Sequence, residues 1–473
     1  MNDTNNQGRS LDEAEIKALG KAIVGKTFNQ LGYQAWNQNR GSGKGNLGEF
    51  VEECVYGYAA NNAHEADFKD AGIELKVTGL RRNEQKGFWT AKERLVLCMI
   101  NFMKDYAYSF YQSPMWEKSQ KIFAVFYIYN DSSKEDYGSF RIVDARLLSF
   151  NPEDLAIIQD DYASIIQKIK DGLADTISEG DTNYLAACTK GANLETMWTK
   201  QPFSPNLAKR RAWSYKPSFM TLKVNEWLGK LKQESIVSSP EDIKKFTLAG
   251  AIERKVFPYI GKSRSELMDY FDIQDSSKQT NRVLLNKMLG LSKSEDTYSE
   301  IDAADLLLKT VTLEPSGKPQ ESMSFPAFDF EQLIHTPYED SEIYDILNDH
   351  SFLFVLWQKT QKGKKQEEIF QGLYFWKMPS RDVEVYFRQV YEQMVKSISS
   401  GNIFEYDSNG KLRNTFPKAS ENPVGHVRPH GRNAADTLPL PVKDKLTGKT
   451  SVTKQCFWLN KEYVGSILKG RKH

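Results

Sequence analysis

Ala66-Asp67-Phe68-Lys69-Asp70-Ala71-Gly72-Ile73-Glu74-Leu75-Lys76 is the stretch on which the fold and the chemistry of this 473-residue chain turn. Ile73–Thr78 (IELKVT) has the residue types of a β-strand. Strand alternation sets Glu74 and Lys76 on one face and sends Leu75 into the core. With Asp67 ahead of a turn, two carboxylates and a lysine converge. Phosphodiester hydrolysis needs that set: hard oxygen ligands hold a Mg²⁺ ion that keeps several waters, and a nearby lysine orients or activates the attacking water. Glu52, on a helix just upstream, is a further acidic candidate. An exposed edge strand carrying a salt bridge is the plainer alternative. The glycine-rich Arg40–Gly45 (RGSGKG) before Glu52 and the loop Gly79–Lys92 after the strand fit a cleft better.

Outward from this stretch, Ser10-Leu-Asp-Glu13 reads as a capping box opening a helix that ends near Gly32. A second helix is expected over 46–61, with strands at 73–78, 95–102 and 122–129 and helices at 153–173 and 217–232. Ser238–Asp242 (SSPED) marks a boundary. Beyond it the pattern is again mixed, with strands predicted at 306–313, 323–329, 352–358 and 369–376 and a surface loop around 431–451.

The second half repeats the order of the first. Ile73–Thr78 corresponds to Leu306–Val311, which pairs Lys76 with Lys309, and the strand at 122–129 matches 352–359. Cys188–Asn193 matches Arg428–Asn433, and Trp213–Phe219 matches Phe457–Tyr463. The offsets 309−76=233, 433−193=240 and 463−219=244 grow in chain order, as a duplication with small insertions requires.

Composition narrows the class. At this length two or three domains are expected, and 40% hydrophobic with 26% charged residues is ordinary for a soluble globular protein. No apolar run approaches the roughly 18 residues of a membrane span, and the N-terminal MNDTNNQGRSLDEAE is not a signal peptide. Cys54, Cys98, Cys188 and Cys456 form no CxxC pair, which argues for a reducing cytoplasm and against a zinc knuckle or disulfide framework. A net charge of +1 leaves room for local positive surface in a DNA cleft.

Lys44-Gly-Asn-Leu-Gly-Glu-Phe-Val-Glu52, Asp67, Gly72-Ile-Glu-Leu-Lys76 and Glu93-Arg-Leu-Val-Leu97 together resemble the MutH family. That family joins mismatch-repair nicking enzymes to GATC-cutting type II restriction endonucleases. YLAACTKGAN (184–193), ESMSFPAFDFE (321–331) and GHVRPH (425–430) resemble its restriction enzymes, and the likeness runs over nearly the whole length. The resemblance implies an α/β fold with a mixed sheet, of the PD-(D/E)xK restriction-endonuclease type. It assigns catalysis to Glu52, Asp67, Glu74 and Lys76, with Asp67, Glu74 and Glu52 toward Mg²⁺. Ala66 departs from the proline many members carry there. A further family lysine falls on Lys118 or Lys121.

For DNA recognition the resemblance points to Thr189–Asn193 and Trp213–Lys216. Lys190 would donate to guanine O6/N7, with Gly191, Asn193 and Lys216 beside it. Arg210 and Arg211 suit phosphate, and Arg81 and Arg82 lie on a loop like the family's flap. In the second half Leu307 stands opposite Glu74, and Leu285, Met288 and Leu289 stand opposite the helix glutamate, so that half should not cleave. It keeps Arg428, His430, Arg432, Lys362, Lys364 and Lys365 for DNA contact; His426 and His430 have metal-like spacing but lack Cys and acidic partners.

The expectation is two tandem MutH-like domains: a catalytic one over 1–232, a linker at 233–239, and a degenerate DNA-binding, effector domain over 240–473. The activity expected is Mg²⁺-dependent double-strand cutting at GATC, of the type IIE kind, leaving 5′-phosphate and 3′-hydroxyl ends. The partners expected are double-stranded DNA, two sites per functional complex, and a cognate methyltransferase. The chain is expected to be a monomer that dimerises on DNA and meets no membrane. A mismatch-repair nicking enzyme and a non-catalytic DNA-binding regulator are the alternatives; retention of the carboxylates in the first half disfavours the regulator.

Overall fold

Ile122 to Tyr127 are buried without a break, as befits a strand covered on both faces. The structure is a computed structural model that describes residues 10–38, 40, 46–58, 66–83, 87–130, 136–190, 197–274, 280–292, 297–360 and 366–470. It divides into two compact units, Met1–Ala251 with Leu291–Asp305, and Ile252–Gly290 with Leu306–His473. The stretch 233–239, expected as a linker, lies inside the first unit, which runs on to Ala251 and takes in Leu291–Asp305 as well. Among the described residues no helix is long and apolar enough to cross a membrane.

The main strands of the first unit are β1 (Glu74–Asn83), β2 (Phe88–Ala91), β3 (Leu95–Met99), β4 (Ile122–Ile128), β5 (Arg141–Leu147), β6 (Leu185–Thr189) and β7 (Arg211–Tyr215). The helices that frame the site are α1 (Glu13–Ile23), α2 (Asn46–Phe50), α3 (Pro114–Ser119), α4 (Pro152–Lys170) and α5 (Pro217–Trp227). One sheet runs β2-β1-β4-β5, with β1 and β4 parallel; the other runs β3-β7-β6. Core residues such as Ile16, Phe28, Phe50, Leu75 and Phe123 join α1 and α2 to the first sheet.

Several boundaries differ from expectation for local reasons. The cap of α1 is Asp12, not Ser10: its Oδ1 accepts from Glu15 N at 2.8 Å, and Glu15 Oε2 accepts from Asp12 N at 3.1 Å. The helix stops at Ile23 rather than near Gly32, because Val24 is extended and Gly25 takes φ +85°. α2 is short and passes into a wider π-type turn over Val51–Val55. The strand expected to reach 102 ends at Met99, where Asn101 caps a helical turn by accepting from Met103 N at 3.2 Å.

The second unit repeats this topology. Its main strands are β8 (Leu306–Leu313), β9 (Met323–Ala327), β10 (Ser351–Lys359), β11 (Glu368–Trp376), β12 (Gly425–Pro429) and β13 (Gln455–Leu459). They form a β8-β10-β11 sheet with β8 and β10 parallel, and a β9-β13-β12 sheet. The registers match as well. Glu74 faces Ile122 as Leu307 faces Phe352, and Leu185 faces Tyr215 as Gly425 faces Leu459. The offsets 307−74=233, 425−185=240 and 459−215=244 are those of the sequence repeat. They do not grow steadily, however. At β3, where Leu95 and Met323 hold equivalent registers, the offset is 323−95=228. The residues lost fall where the first unit builds β2, which has no counterpart in the β8-β10-β11 sheet.

β2 is an edge strand, and α5 covers it. Thr221 Oγ1 accepts from Ala91 N at 2.9 Å, and Asn225 Oδ1 accepts from Trp89 N at 2.9 Å. Asn225 Nδ2 donates to Trp89 O at 2.5 Å. One turn apart on the helix, the two side chains satisfy edge groups that would otherwise invite another strand. Asn225 is fully buried. Asn225→Ala is therefore expected to strip partners from both backbone groups of Trp89 and to cost about 1–3 kcal/mol in urea unfolding. An unchanged midpoint would show that β2 does not depend on this clasp.

Candidate active site

The approach of Asp67 to β1 depends on one tight turn. Phe68 N donates to Ile73 O at 2.9 Å and Ile73 N to Phe68 O at 3.2 Å, closing a loop in which Gly72 sits at φ +63°. A side chain there would be strained, so glycine is the natural occupant. The turn sets Asp67 against the strand, where its Oδ2 accepts from Leu75 N at 2.8 Å.

Glu74 opens β1, and its N–H donates to Lys121 O at 2.9 Å, the start of the parallel pairing with β4. Its side chain is 4% exposed. Oε1 accepts from Lys76 Nζ at 2.7 Å, and Lys118 Nζ, on α3, lies 3.9 Å from the same oxygen. Oε2 is buried with no hydrogen-bond partner. The alternative left open between two lysines closes here: Lys121 points away and pairs with Glu13 at 3.2 Å, so Lys118 is the lysine at the cluster.

Glu52, on the π-turn after α2, completes the acidic group. Burial pushes its carboxyl up to about 7, and the negative charge of Asp67 adds to the effect, while Lys76 opposes it. Burial also raises Asp67, with Glu74 next in effect and the Leu75 N–H acting against both. Three acids and two lysines thus share a partly dry pocket in which the acids repel one another.

A bound cation would relieve that repulsion. Among the described residues no three His, Cys, Asp or Glu side chains stand close enough to enclose one. The set nonetheless fits a hard divalent ion that keeps several waters and needs only one or two carboxylates. The bare, buried Glu74 Oε2 is the atom most in need of such a partner.

The residues expected to touch DNA divide. Arg81 and Arg82 are exposed near the end of β1, with Arg81 over the Tyr129 ring at 5.3 Å. Lys190 follows β6, and its N–H donates to Arg210 O at 2.8 Å, so Lys190 and the exposed Arg210 are neighbours. Gly191 and Asn193 lie outside the described residues, as do Lys362, Lys364 and Lys365. Arg211 and Lys216 are corrections. Arg211 is 5% exposed and donates to the carbonyls of Ala187, at 2.7 Å, and Ile177. Lys216 is 3% exposed and donates to Thr182 O at 2.6 Å. Arg210 precedes β7 and is exposed, whereas β7 is buried along its whole length from Arg211 to Tyr215, so Arg211 and Lys216 fasten β7 and the start of α5 to their neighbours.

In the second unit Arg428, His430 and Arg432 are exposed. His426 is not a surface ligand: it is buried, with Nδ1 2.5 Å from Asn460 Oδ1. One acidic residue went unnoticed in the sequence. Glu300 precedes Leu307 by the same interval that separates Asp67 from Glu74. Its carboxylate is fully used, accepting from Ile236 N at 2.8 Å, Val237 N at 3.2 Å and the Ser235 hydroxyl. The matching interval was the signal that would have found it.

The raised Glu52 predicts a sign for acid stability. Its folded pKa lies above the unfolded value, so the folded metal-free protein holds that proton more tightly. Stability should rise as pH falls from above 7 toward the ordinary carboxylate range. Glu52→Gln should remove that rise and melt higher than wild type at pH 8, measured by calorimetry in EDTA. A lower melting point for the variant would mean that ionised Glu52 is already stabilised.

Comparison with known proteins identifies the family. The family model of the DNA mismatch repair enzyme MutH matches residues 56–161, the span that holds Asp67, Glu74, Lys76 and Lys118. The type II restriction enzyme Sau3AI of Staphylococcus aureus is 32% identical, over 96% of this chain and 98% of that enzyme. With a PD-(D/E)xK nuclease fold and a likeness that spans both units, the chain belongs to the MutH-like type II restriction endonucleases and is a site-specific deoxyribonuclease.

Proposed function

We propose that this enzyme makes Mg²⁺-dependent double-strand cuts at GATC, with Asp67, Glu74, Lys76 and Glu52 as the catalytic set. The observation that carries this is the Glu74 carboxylate, with one oxygen on Lys76 and the other buried and bare beside Asp67. Asp67 and Glu74, with Glu52 behind them, would hold the metal, which supplies Lewis-acid polarisation of the phosphate and a more acidic water. Lys76 orients the attacking water, held in place by Glu74. Lys118 adds positive charge where the phosphate develops negative charge. The products are 5′-phosphate and 3′-hydroxyl ends.

Lys190 and Arg210 suit the major groove and an adjoining phosphate, and Arg81 and Arg82 suit the groove beside the hairpin. The second unit lacks the acids of the first and takes up a second GATC duplex as an effector through Arg428, His430 and Arg432. Two chains meet on a palindrome, since each carries one intact catalytic set. The setting is the cytoplasm, beside a cognate methyltransferase that protects the host. The nicking alternative is less favoured, because the mismatch-repair family model matches only 56–161 whereas the restriction enzyme matches nearly end to end.

Lys76→Ala, Glu74→Ala and Asp67→Ala should each abolish cleavage of a GATC plasmid and leave duplex affinity within roughly tenfold, because binding rests mainly on phosphate contacts elsewhere. Wild-type rates in all three would remove the assignment. A plasmid with two GATC sites should be cut faster than one with a single site, and a short GATC duplex added in trans should rescue the single-site plasmid. Equal initial rates at equal site concentration would reduce the second unit to a clamp.

A further inference from the structure

Lys309 occupies on β8 the place Lys76 occupies on β1, yet its surroundings differ in kind. The position of Glu74 is taken by Leu307, and Glu300, at the interval of Asp67, is spent on Ser235, Ile236 and Val237. Lys309 Nζ donates to Ser324 O at 2.8 Å and lies 5.0 Å from the centre of the Phe325 ring. Among the described residues no carboxylate pairs with it. It borders a cavity of about 310 Å³, lined also by Thr312, Glu321, Ser322, Ser324 and Trp458. The one acid in that lining, Glu321, is exposed to solvent.

We propose that this cavity is a binding site for a phosphodiester oxyanion of the second DNA duplex, taken by Lys309 without a divalent metal. The inference rests on the reading that the second unit takes up a second duplex, and it names where a backbone phosphate sits. An ammonium that has lost its carboxylate partner and been drawn into a polar cavity lacks an anion. Burial lowers the pKa of Lys309, the direction expected of a cation short of a counter-charge. Hydroxyls of Thr312 and Ser322 can supply the further donors a phosphate takes. A nucleic-acid backbone fits better than a free anion because the cationic surface continues outward. Arg428 stands 5.2 Å over the Trp458 ring, and the His430 ring is 5.8 Å from it. Both are exposed at the end of β12. The first unit needs carboxylates to hold a metal against the phosphate; the second replaces that arrangement with the lysine alone.

The test uses the full-length enzyme in EDTA, titrated with a labelled GATC duplex, with stoichiometry from sedimentation. Wild type should bind two duplexes per chain without metal. Lys309→Met should weaken one of the two by about tenfold and lower the slope of log K against log[salt] for that duplex by about 1. Lys309→Arg, which keeps the charge, should bind both. Lys309→Met should melt no lower than wild type, since it removes an unpaired ammonium, so a folding defect is separable from lost binding. Two tight duplexes in Lys309→Met would overturn the site and leave the effector reading standing. So would a second duplex that the non-cutting Lys76→Ala enzyme binds only when Mg²⁺ is added. A single duplex on wild type in EDTA and on Lys76→Ala in Mg²⁺ would end the effector reading and the inference together. Inorganic phosphate that raises the melting point of wild type but not of Lys309→Met, while the variant still binds both duplexes tightly, would make this a small-anion pocket and overturn the DNA assignment.

Discussion

The candidate site of the first unit is built around a carboxylate kept dry. Glu74 is 4% exposed at the first residue of a strand whose partner, β4, is buried from Ile122 to Tyr127. A charge in that setting is tolerable only if it is paired, and Lys76 meets one oxygen. The other oxygen, Asp67 and Glu52 form an anionic pocket with an excess of acceptors. The Phe68–Ile73 turn brings Asp67 in, the π-turn brings Glu52, and α3 brings Lys118. Each depends on β1 running parallel to β4.

The same scaffold in the second unit shows how little of this belongs to the fold. Apart from β2, which it lacks, its sheets have the same strand order and matching registers, and its lysine stands at the same place. Leucine in place of the glutamate, and diversion of the acid at the other position, leave Lys309 with no carboxylate partner among the described residues. Function resides in the side chains set on a shared framework.

Much of this was legible from residue order alone. Strand types in Ile73–Thr78, Ile122–Tyr129 and 352–358 carry their own period and composition, and the repeat follows from offsets that the strand registers reproduce. Asp67 and Glu74 were visible because strand alternation and a glycine turn dictate their approach. What escaped was set by long-range packing. Arg211 and Lys216 look like DNA contacts in a run of basic residues, yet they hold carbonyls of Ala187, Ile177 and Thr182 from distant segments. Lys118 and Lys121 are indistinguishable by spacing and separate only once Glu13 is seen to claim Lys121. The cap of α1 moved by two residues because Asp12 with Glu15 forms as good a box as the one read from Ser10.

The exchange of segments between the units bears on where such a chain can be cut short. Leu291–Asp305 is built into the first unit although it lies, in chain order, inside the second. It supplies Thr297–Tyr298 to pair with Lys232–Gln233, and the Glu300 carboxylate that satisfies the amides of Ile236 and Val237. A chain that ended before Leu291 would leave those buried amides without an acceptor and the short ladder without its second strand. The first unit is therefore cut free intact only by an end placed beyond Asp305, which carries along Ile252–Gly290, a stretch of the second unit. The order of the chain thus ties the first unit to a part of the second: no end that keeps Leu291–Asp305 leaves out Ile252–Gly290.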